Sequence, residues 1–272
     1  MPVPSVAVAT HPLYGVLRPV TAQAAVLLAD NPGPMTLDGT NTWLVGAPGE
    51  PATVVVDPGP ADEEHVRRVA VHSRPRLILV THGHADHTGG ARLLHELTGA
   101  PVRAADAGHC IGGEPLRDGE VIATGGVELR VLASPGHTMD SVCLALPADR
   151  GVLTGDTVLG RGTTVIMHPE GSLGAYLASL RTLAQLPAGT PVLPGHGPDL
   201  PDLAATAREY LAHREERLDQ IRGALATLGE DATPRQVVEL VYAEVDRSVW
   251  WAAEVSVRAQ LAYLRGEPAA HG

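Results

Sequence analysis

The 272-residue chain carries 20 Lys+Arg against 31 Asp+Glu, a formal net charge of -11, and its 44% hydrophobic content suits a soluble protein with one large domain or one domain plus an appendage. An acidic balance counts against nucleic-acid binding, which draws its sequence-independent affinity from phosphate neutralisation. No stretch approaches the roughly 20 apolar residues of a membrane span, no basic segment precedes an apolar one at the N-terminus, and the expected location is cytoplasmic.

In chain order, short apolar runs at Ala24 to Leu28, Thr42 to Val45, Thr53 to Val56 and Leu77 to Val80 predict strands, separated by NPGP, GAPGEP and DPGP turns. Ala61 to His72 predicts a helix with acidic residues in its first turn. A second helix is expected to run unbroken from Asp86 to Leu97. Strands follow at Val102 to Ala104, Glu120 to Ala123, Val127 to Leu132, Val142 to Leu146 and Gly151 to Leu153, then a helix at Leu173 to Leu186 and a strand at Pro191 to Leu193. Many strands with few helices predict an α+β sandwich of two sheets covered by helices. After Pro201 the pattern turns helical. Leu203, Ala207, Tyr210, Leu211, Leu218, Ile221, Leu225 and Leu228 mark one amphipathic helix with a charged outer face. Thr233, Pro234 and Gln236 form a capping box that opens a second helix, and a third is expected from Ser248 to Leu264. The expected division is a domain over residues 1–200 and a helical appendage over 201–272.

The chemistry concentrates in Thr81 to His87, THGHADH, at the end of the apolar run RLILV. His82, His84, Asp86 and His87 crowd one turn, and imidazole and carboxylate are the ligands zinc takes when no thiolate is offered. Cys110 and Cys143, the only cysteines, lack CxxC spacing and indicate neither a disulfide framework nor a thiolate site. Three further ligand types follow apolar segments and sit beside glycine: His137 in SPGHT, Asp156 in LTGDT and His196 in LPGHG. Seven ligands exceed one tetrahedral ion and suit two ions sharing a carboxylate. The expected assignment gives His82, His84 and His137 to the first ion, Asp86, His87 and His196 to the second, and Asp156 to both. Two divalent ions, zinc preferred with iron or manganese acceptable, would make water a nucleophile near neutral pH, with Asp86 and Asp156 as the catalytic carboxylates.

THGHADH followed in order by His137, Asp156 and His196 resembles the metallo-beta-lactamase superfamily over about residues 20 to 200, which implies an αββα sandwich with a dinuclear site at one edge. Asp156 stands where zinc beta-lactamases place a Cys ligand, so the site resembles the hydroxyacylglutathione hydrolase type and antibiotic hydrolysis is not implied. The segment NPGPMTLDGTNTWLVG (Asn31 to Gly46), the HREER run (His213 to Arg217) and the helical tail are similar to the beta-lactamase-like protein 2 group, which implies a winged-helix-like C-terminal domain. The chain stops at LRGEPAAHG, where a β-hairpin wing would follow, so the wing is expected to be missing.

Within that group one branch cuts single-stranded RNA and fungal relatives release polyketides from carriers as thioesterases. The resemblance therefore implies the machinery more firmly than the substrate. The leading expectation is a dinuclear metallohydrolase of an ester or thioester on a small molecule or carrier, and the alternative is a metal-dependent endoribonuclease. A non-catalytic metal-stabilised module ranks third, because structural zinc sites close with four ligands. Candidate substrate contacts are Asn41 and Thr42, which could equally close a turn; His168, which could be plain surface; and Arg214 with Arg217, which could bind a phosphate or carboxylate or sit on a solvated helix face. One of Trp250 and Trp251 fits the core stripe, and the other could rim a pocket or a dimer surface, so an oligomer stays open.

Overall fold

A computed structural model of the chain describes residues 14–244, 246–247 and 250–267. One six-stranded sheet has the order β1 (Arg18–Pro19), β2 (Ala24–Leu28), β3 (Asn41–Val45), β4 (Ala52–Val56), β5 (Ser73–Leu79) and β6 (Val102–Arg103). The other contains β7 (Val121–Thr124), β8 (Val127–Ala133), β9 (Val142–Leu146), β10 (Gly151–Gly155) and β11 (Val192–Pro194), in the order β11-β10-β9-β8-β7. Pairing is antiparallel except for β4 with β5, β5 with β6 and β10 with β11.

Strand alternation divides the apolar residues between layers. Val54, Val56, Leu77 and Leu79 face Leu129, Val131, Leu144 and Leu153 between the sheets. Their neighbours Val55, Ile78 and Val80 point the other way, onto Val66 and Val69 of α1 (Glu63–His72) and Leu94 of α3 (Ala91–Thr98). On the opposite outer face, Cys143, Val152 and Val192 pack against Tyr176, Leu177 and Leu180 of α4 (Leu173–Leu183). Strands buried on both faces read as continuous apolar runs, which is why the sequence shows them as runs and not as alternation.

The expected helix from Asp86 to Leu97 is broken into α2 (Ala85–Thr88) and α3. Gly90 N donates to Gly59 O at 2.8 Å, and a Cβ on Gly90 would lie 2.6 Å from Pro58 O, so this backbone is pressed against the DPGP turn. Tertiary contact there overrides helical periodicity. β5 also begins at Ser73, earlier than the apolar run suggests, because Ser73 pairs with Ala52 across a register shift.

Beyond the sandwich come α5 (Leu203–Leu228), α6 (Pro234–Val241) and α7 (Trp250–Arg265), with Thr233 and Gln236 making the expected capping box. The expected start of the third helix at Ser248 and most of the segment where a wing was expected to be missing, residues 268–272, lie outside the described residues. Leu203, Ala207, Tyr210 and Leu218 of α5 belong to the apolar cluster over α4. Ile221 and Leu225 belong to a separate cluster with Val237, Trp250, Val257 and Leu261. One helix thus roots the appendage in the sandwich. Trp250 is buried and Trp251 exposed. No helix among the described residues is long and apolar enough to cross a membrane.

Candidate metal centre

Strand ends deliver the polar residues to one edge of the sandwich. β4 leads to Asp57, β5 to Thr81 through His87, β8 to His137, β10 to Asp156 and β11 to His196. Backbone bonds join the two sheets there. Val142 N donates to Thr81 O and Asn41 N to Gly195 O, both at 2.8 Å, while Gly195 N donates to Gly155 O at 2.9 Å within the second sheet. Two glycines permit the closeness. Gly155 has φ 47° with Thr81 packed against it, and a Cβ on Gly195 would lie 2.3 Å from Asp156 Oδ1.

Two clusters of ligand atoms result. His82 Nε2 lies 3.0 Å from His84 Nδ1, which lies 3.0 Å from His137 Nε2. His87 Nε2 and His196 Nε2 are 3.2 Å apart, with Asp86 Oδ2 at 3.3 and 3.2 Å from them. Asp156 sits between, its Oδ1 3.5 Å from His87 Nε2 and its Oδ2 3.8 Å from His137 Nε2 and 3.3 Å from His196 Nε2. His82, His84 and His137; His82, His87 and Asp156; and Asp86, His87 and His196 each gather tightly enough to hold an ion.

The far side of most rings is tied down. His137 Nδ1 donates to Val165 O at 2.8 Å and His196 Nδ1 to Gly39 O at 3.0 Å, while His87 Nδ1 meets Asp57 Oδ2 at 2.8 Å and His82 Nδ1 meets Thr81 Oγ1 at 3.1 Å. A ring that donates through Nδ1 carries a bare lone pair on Nε2. Lone pairs facing each other at about 3 Å repel unless a cation or proton sits between them, and Asp156 Oδ1 is buried with no hydrogen-bond partner. The donor set fits metal ions.

The protonation preferences agree. Burial presses His82 and His137 below their ordinary value, so their rings stay neutral. Burial also opposes charge on His87, but the carboxylates of Asp57 and Asp156 hold it well above the ordinary value. His196 is likewise raised to about 9, with burial outweighed by Asp156 and Asp86. Burial would raise the carboxyls of Asp86 and Asp156, yet hydrogen bonds and charge from His196 and His87 hold both far below the usual carboxylate range. Two committed anions in a buried pocket attract either protons onto His87 and His196 or metal cations in their place.

The remaining candidates fall elsewhere. Asn41 donates both amide hydrogens, to Pro194 O at 3.0 Å and Gly197 O at 2.8 Å, and so pins the loop that carries His196. Thr42 Oγ1 pairs with His65 Nε2 at 2.8 Å inside the first sheet layer. Neither side chain lines the cavity beside the ligands. His168 is half-buried before Pro169 and also lies off that cavity. Arg214 corrects the expectation of a charged outer face on α5: it is 5% exposed, donates to Thr164 O and lies 5.4 Å from the Tyr176 ring centroid. Arg217 bonds Gln220 at 2.8 Å and stacks over Tyr242.

Sequence reasoning missed Asp57. Its carboxylate accepts from Thr81 N and Oγ1, both at 2.8 Å, and orients His87. The signal was present in the DPGP that ends β4, but it reads as a turn. Thr40, whose Oγ1 donates to Asp86 Oδ2 at 3.0 Å, was missed for the same reason. Beside His137 and Asp156 opens a cavity of about 80 Å³, walled by Pro34, Met35, Leu37, Leu159 and Val165, with Arg161 at its edge tied to Asp38.

Comparison with known proteins agrees with this geometry. Residues 35–196 match the metallo-beta-lactamase superfamily and residues 233–267 the beta-lactamase associated winged helix domain. The chain is 33% identical over 258 residues to an atrochrysone carboxyl ACP thioesterase of Aspergillus chevalieri, covering 88% of this chain and 79% of that one. It is 34% identical over 251 residues to the beta-lactamase-like protein 2 homolog of Caenorhabditis elegans, covering 88% and 82%. A beta-lactamase domain protein of Burkholderia ambifaria shares the fold with a TM-score of 0.77 at 24% identity over 96% of this chain and 92% of that one. A protein solved in a di-iron-bound form aligns at TM-score 0.52 and 32% identity over 65% and 95%. The chain belongs to the metallo-beta-lactamase superfamily. It is a metal-binding hydrolase of that fold with an appended winged-helix-associated domain.

Proposed function

We propose that the protein is a dinuclear metal-dependent hydrolase of esters or thioesters, with a carrier-bound acyl group as the favoured substrate. His82, His84 and His137 would hold one ion, Asp86, His87 and His196 the other, and Asp156 both. The bare nitrogens and the orphaned Asp156 Oδ1 support this assignment. Bound divalent ions supply Lewis acidity and lower the pKa of water. Zinc remains the preferred ion, and the relative solved with two irons supports iron as well. The division into a catalytic domain over residues 1–200 and a helical domain over 201–272, with α5 as the first helix of the second, and a cytoplasmic location are parts of the same proposal.

The chain's own residues supply the rest. Asp57 and Thr40 fix His87 and Asp86 from behind, so the ligand faces are oriented before substrate arrives. Asp86, kept ionised, accepts a hydrogen bond from an attacking water and orients its lone pair. The observation that carries the substrate reading is the apolar wall of Pro34, Met35, Leu37, Leu159 and Val165 beside His137 and Asp156. An acyl chain loses water-exposed surface there, whereas a nucleic-acid backbone would find one Arg already paired with Asp38. The thioesterase relative supports the same choice.

The test is a hydrolysis screen of generic thioesters, lactones and a single-stranded RNA oligonucleotide on metal-loaded protein, with His84→Ala as control. Thioester turnover that falls at least about 1,000-fold in the variant is expected. RNA cleavage lost in the same variant, with no thioester turnover, would reverse the order of the two readings.

A further inference from the structure

A second cavity, of about 360 Å³, lies between the 163–165 segment and the C-terminal helices. His213, Arg214 and Arg217 of α5 line one side, and Tyr242, Ser256 and Gln260 the other. The chain as a whole has 31 acidic residues against 20 basic ones, yet among the described residues no carboxylate lines this cavity. It is a basic pocket in an acidic protein.

Its polar groups are incompletely satisfied. Arg214 and Gln260 are 5% and 2% exposed, and Arg214 Nε, Gln260 Oε1 and His213 Nδ1 are buried without hydrogen-bond partners. A buried polar atom without a partner is destabilising, so three of them around one cavity ask for a ligand that restores their bonds. A guanidinium pair with a histidine and a terminal amide, which can turn its NH2 inward, is a donor set for an anion with several acceptor oxygens.

The cavity is also coupled to the metal edge. Thr163, Thr164 and Val165 line it on one side and the small apolar cavity beside His137 and Asp156 on the other. The Val165 carbonyl accepts from His137 Nδ1, and the Thr164 carbonyl accepts from Arg214. One three-residue segment therefore separates the donors from the ligands.

We propose that this cavity binds the phosphate of the pantetheine arm on which a carrier presents its thioester, while the acyl end lies against the apolar wall across residues 163–165. The proposal rests on the thioester reading above. His213, Arg214 and Arg217 form one local set of donors, which suits one phosphate on a narrow arm better than RNA, whose affinity accrues from many phosphates along a continuous cationic track.

The experiment is a calorimetric titration of the metal-loaded full chain with 4′-phosphopantetheine, pantetheine, inorganic phosphate and a single-stranded RNA oligonucleotide. Phosphopantetheine should bind at least about ten-fold more tightly than pantetheine, and inorganic phosphate should compete with it. Arg217→Gln and His213→Leu, each checked for an unchanged melting transition, should shrink that preference to about two-fold. The ratio of kcat/KM between acyl-phosphopantetheine and acyl-pantetheine should contract with it, chiefly through KM. Equal affinity for the two arms, a preference that survives both substitutions, or tighter binding of RNA than of phosphopantetheine would overturn the proposal. If neither thioester turns over, the hydrolase reading fails while the titration still decides the pocket.

Discussion

The ligand edge of the sandwich and the C-terminal helical cluster are stabilised by opposite means. At the edge, His82, His87, His137 and His196 each have one nitrogen tied to a backbone carbonyl, a hydroxyl or Asp57, and the other turned into one of the two ligand clusters. In the cluster, Ile221, Leu225, Val237, Trp250, Val257 and Leu261 pack as an apolar group, with Arg235 stacked over the Trp250 ring at its edge. The first region tolerates almost no change of residue type, because a buried polar network that loses one partner is left with an unsatisfied charge or lone pair. The second tolerates any set of apolar residues of about the right volume, because burial is non-directional. Position is costly to specify at the edge and cheap in the cluster.

The largest break in that contrast is expected from Asp57→Ala. It strands His87 and Thr81 N without their acceptor, and a stability loss of about 3–5 kcal/mol in denaturant unfolding should come with a metal affinity about 10–100-fold weaker. Unchanged metal affinity by competitive chelation would mean that His87 needs no positioning from behind. Leu261→Ala, in the cluster, should cost about 2–4 kcal/mol while leaving metal affinity untouched. A drop in affinity there would show that the two regions are one cooperative unit through α5.

The smallest effect concerns pH. Burial lowers His65, with Nε2 against Thr42, from 6.5 to about 4. Between those values the unfolded chain takes up a proton that the folded chain refuses. Its contribution is therefore whole above pH 6.5 and is lost as pH falls toward 4, amounting to about 2 kcal/mol by pH 5. His65→Gln keeps a hydrogen-bonding group for Thr42 and does not titrate. Comparing unfolding free energies of the two proteins at pH 7 and pH 5 should show a loss about 2 kcal/mol smaller in the variant; parallel losses would remove His65 as a source of acid sensitivity.

Much of the molecule was legible because its signals are local. Continuous apolar runs such as Thr53 to Val56 specify doubly covered strands, the Thr233, Pro234 and Gln236 cap specifies a helix start, and THGHADH with three glycine-flanked partners specifies ligand chemistry. What stayed hidden depends on partners distant in sequence. Arg214 reads as one more charge on a charged helix face until Tyr176 and the Thr164 carbonyl close over it. Asn41 reads as a substrate contact until its amide is found on Pro194 and Gly197. The unbroken helix expected after THGHADH fails at Gly89 and Gly90, where the DPGP turn presses in from another strand end.

By itself, then, the sequence determined which atoms could bind metal and which residues must be buried, since ligand type and hydropathy are properties of single residues and short patterns. Only the tertiary structure decided how those ligands are grouped, that Asp57 orients His87, and that Arg214 and Gln260 share a cavity across residues 163–165 from the metal edge. Such facts rest on directional bonds between strand ends and helices far apart in the chain, and no local pattern encodes a distance.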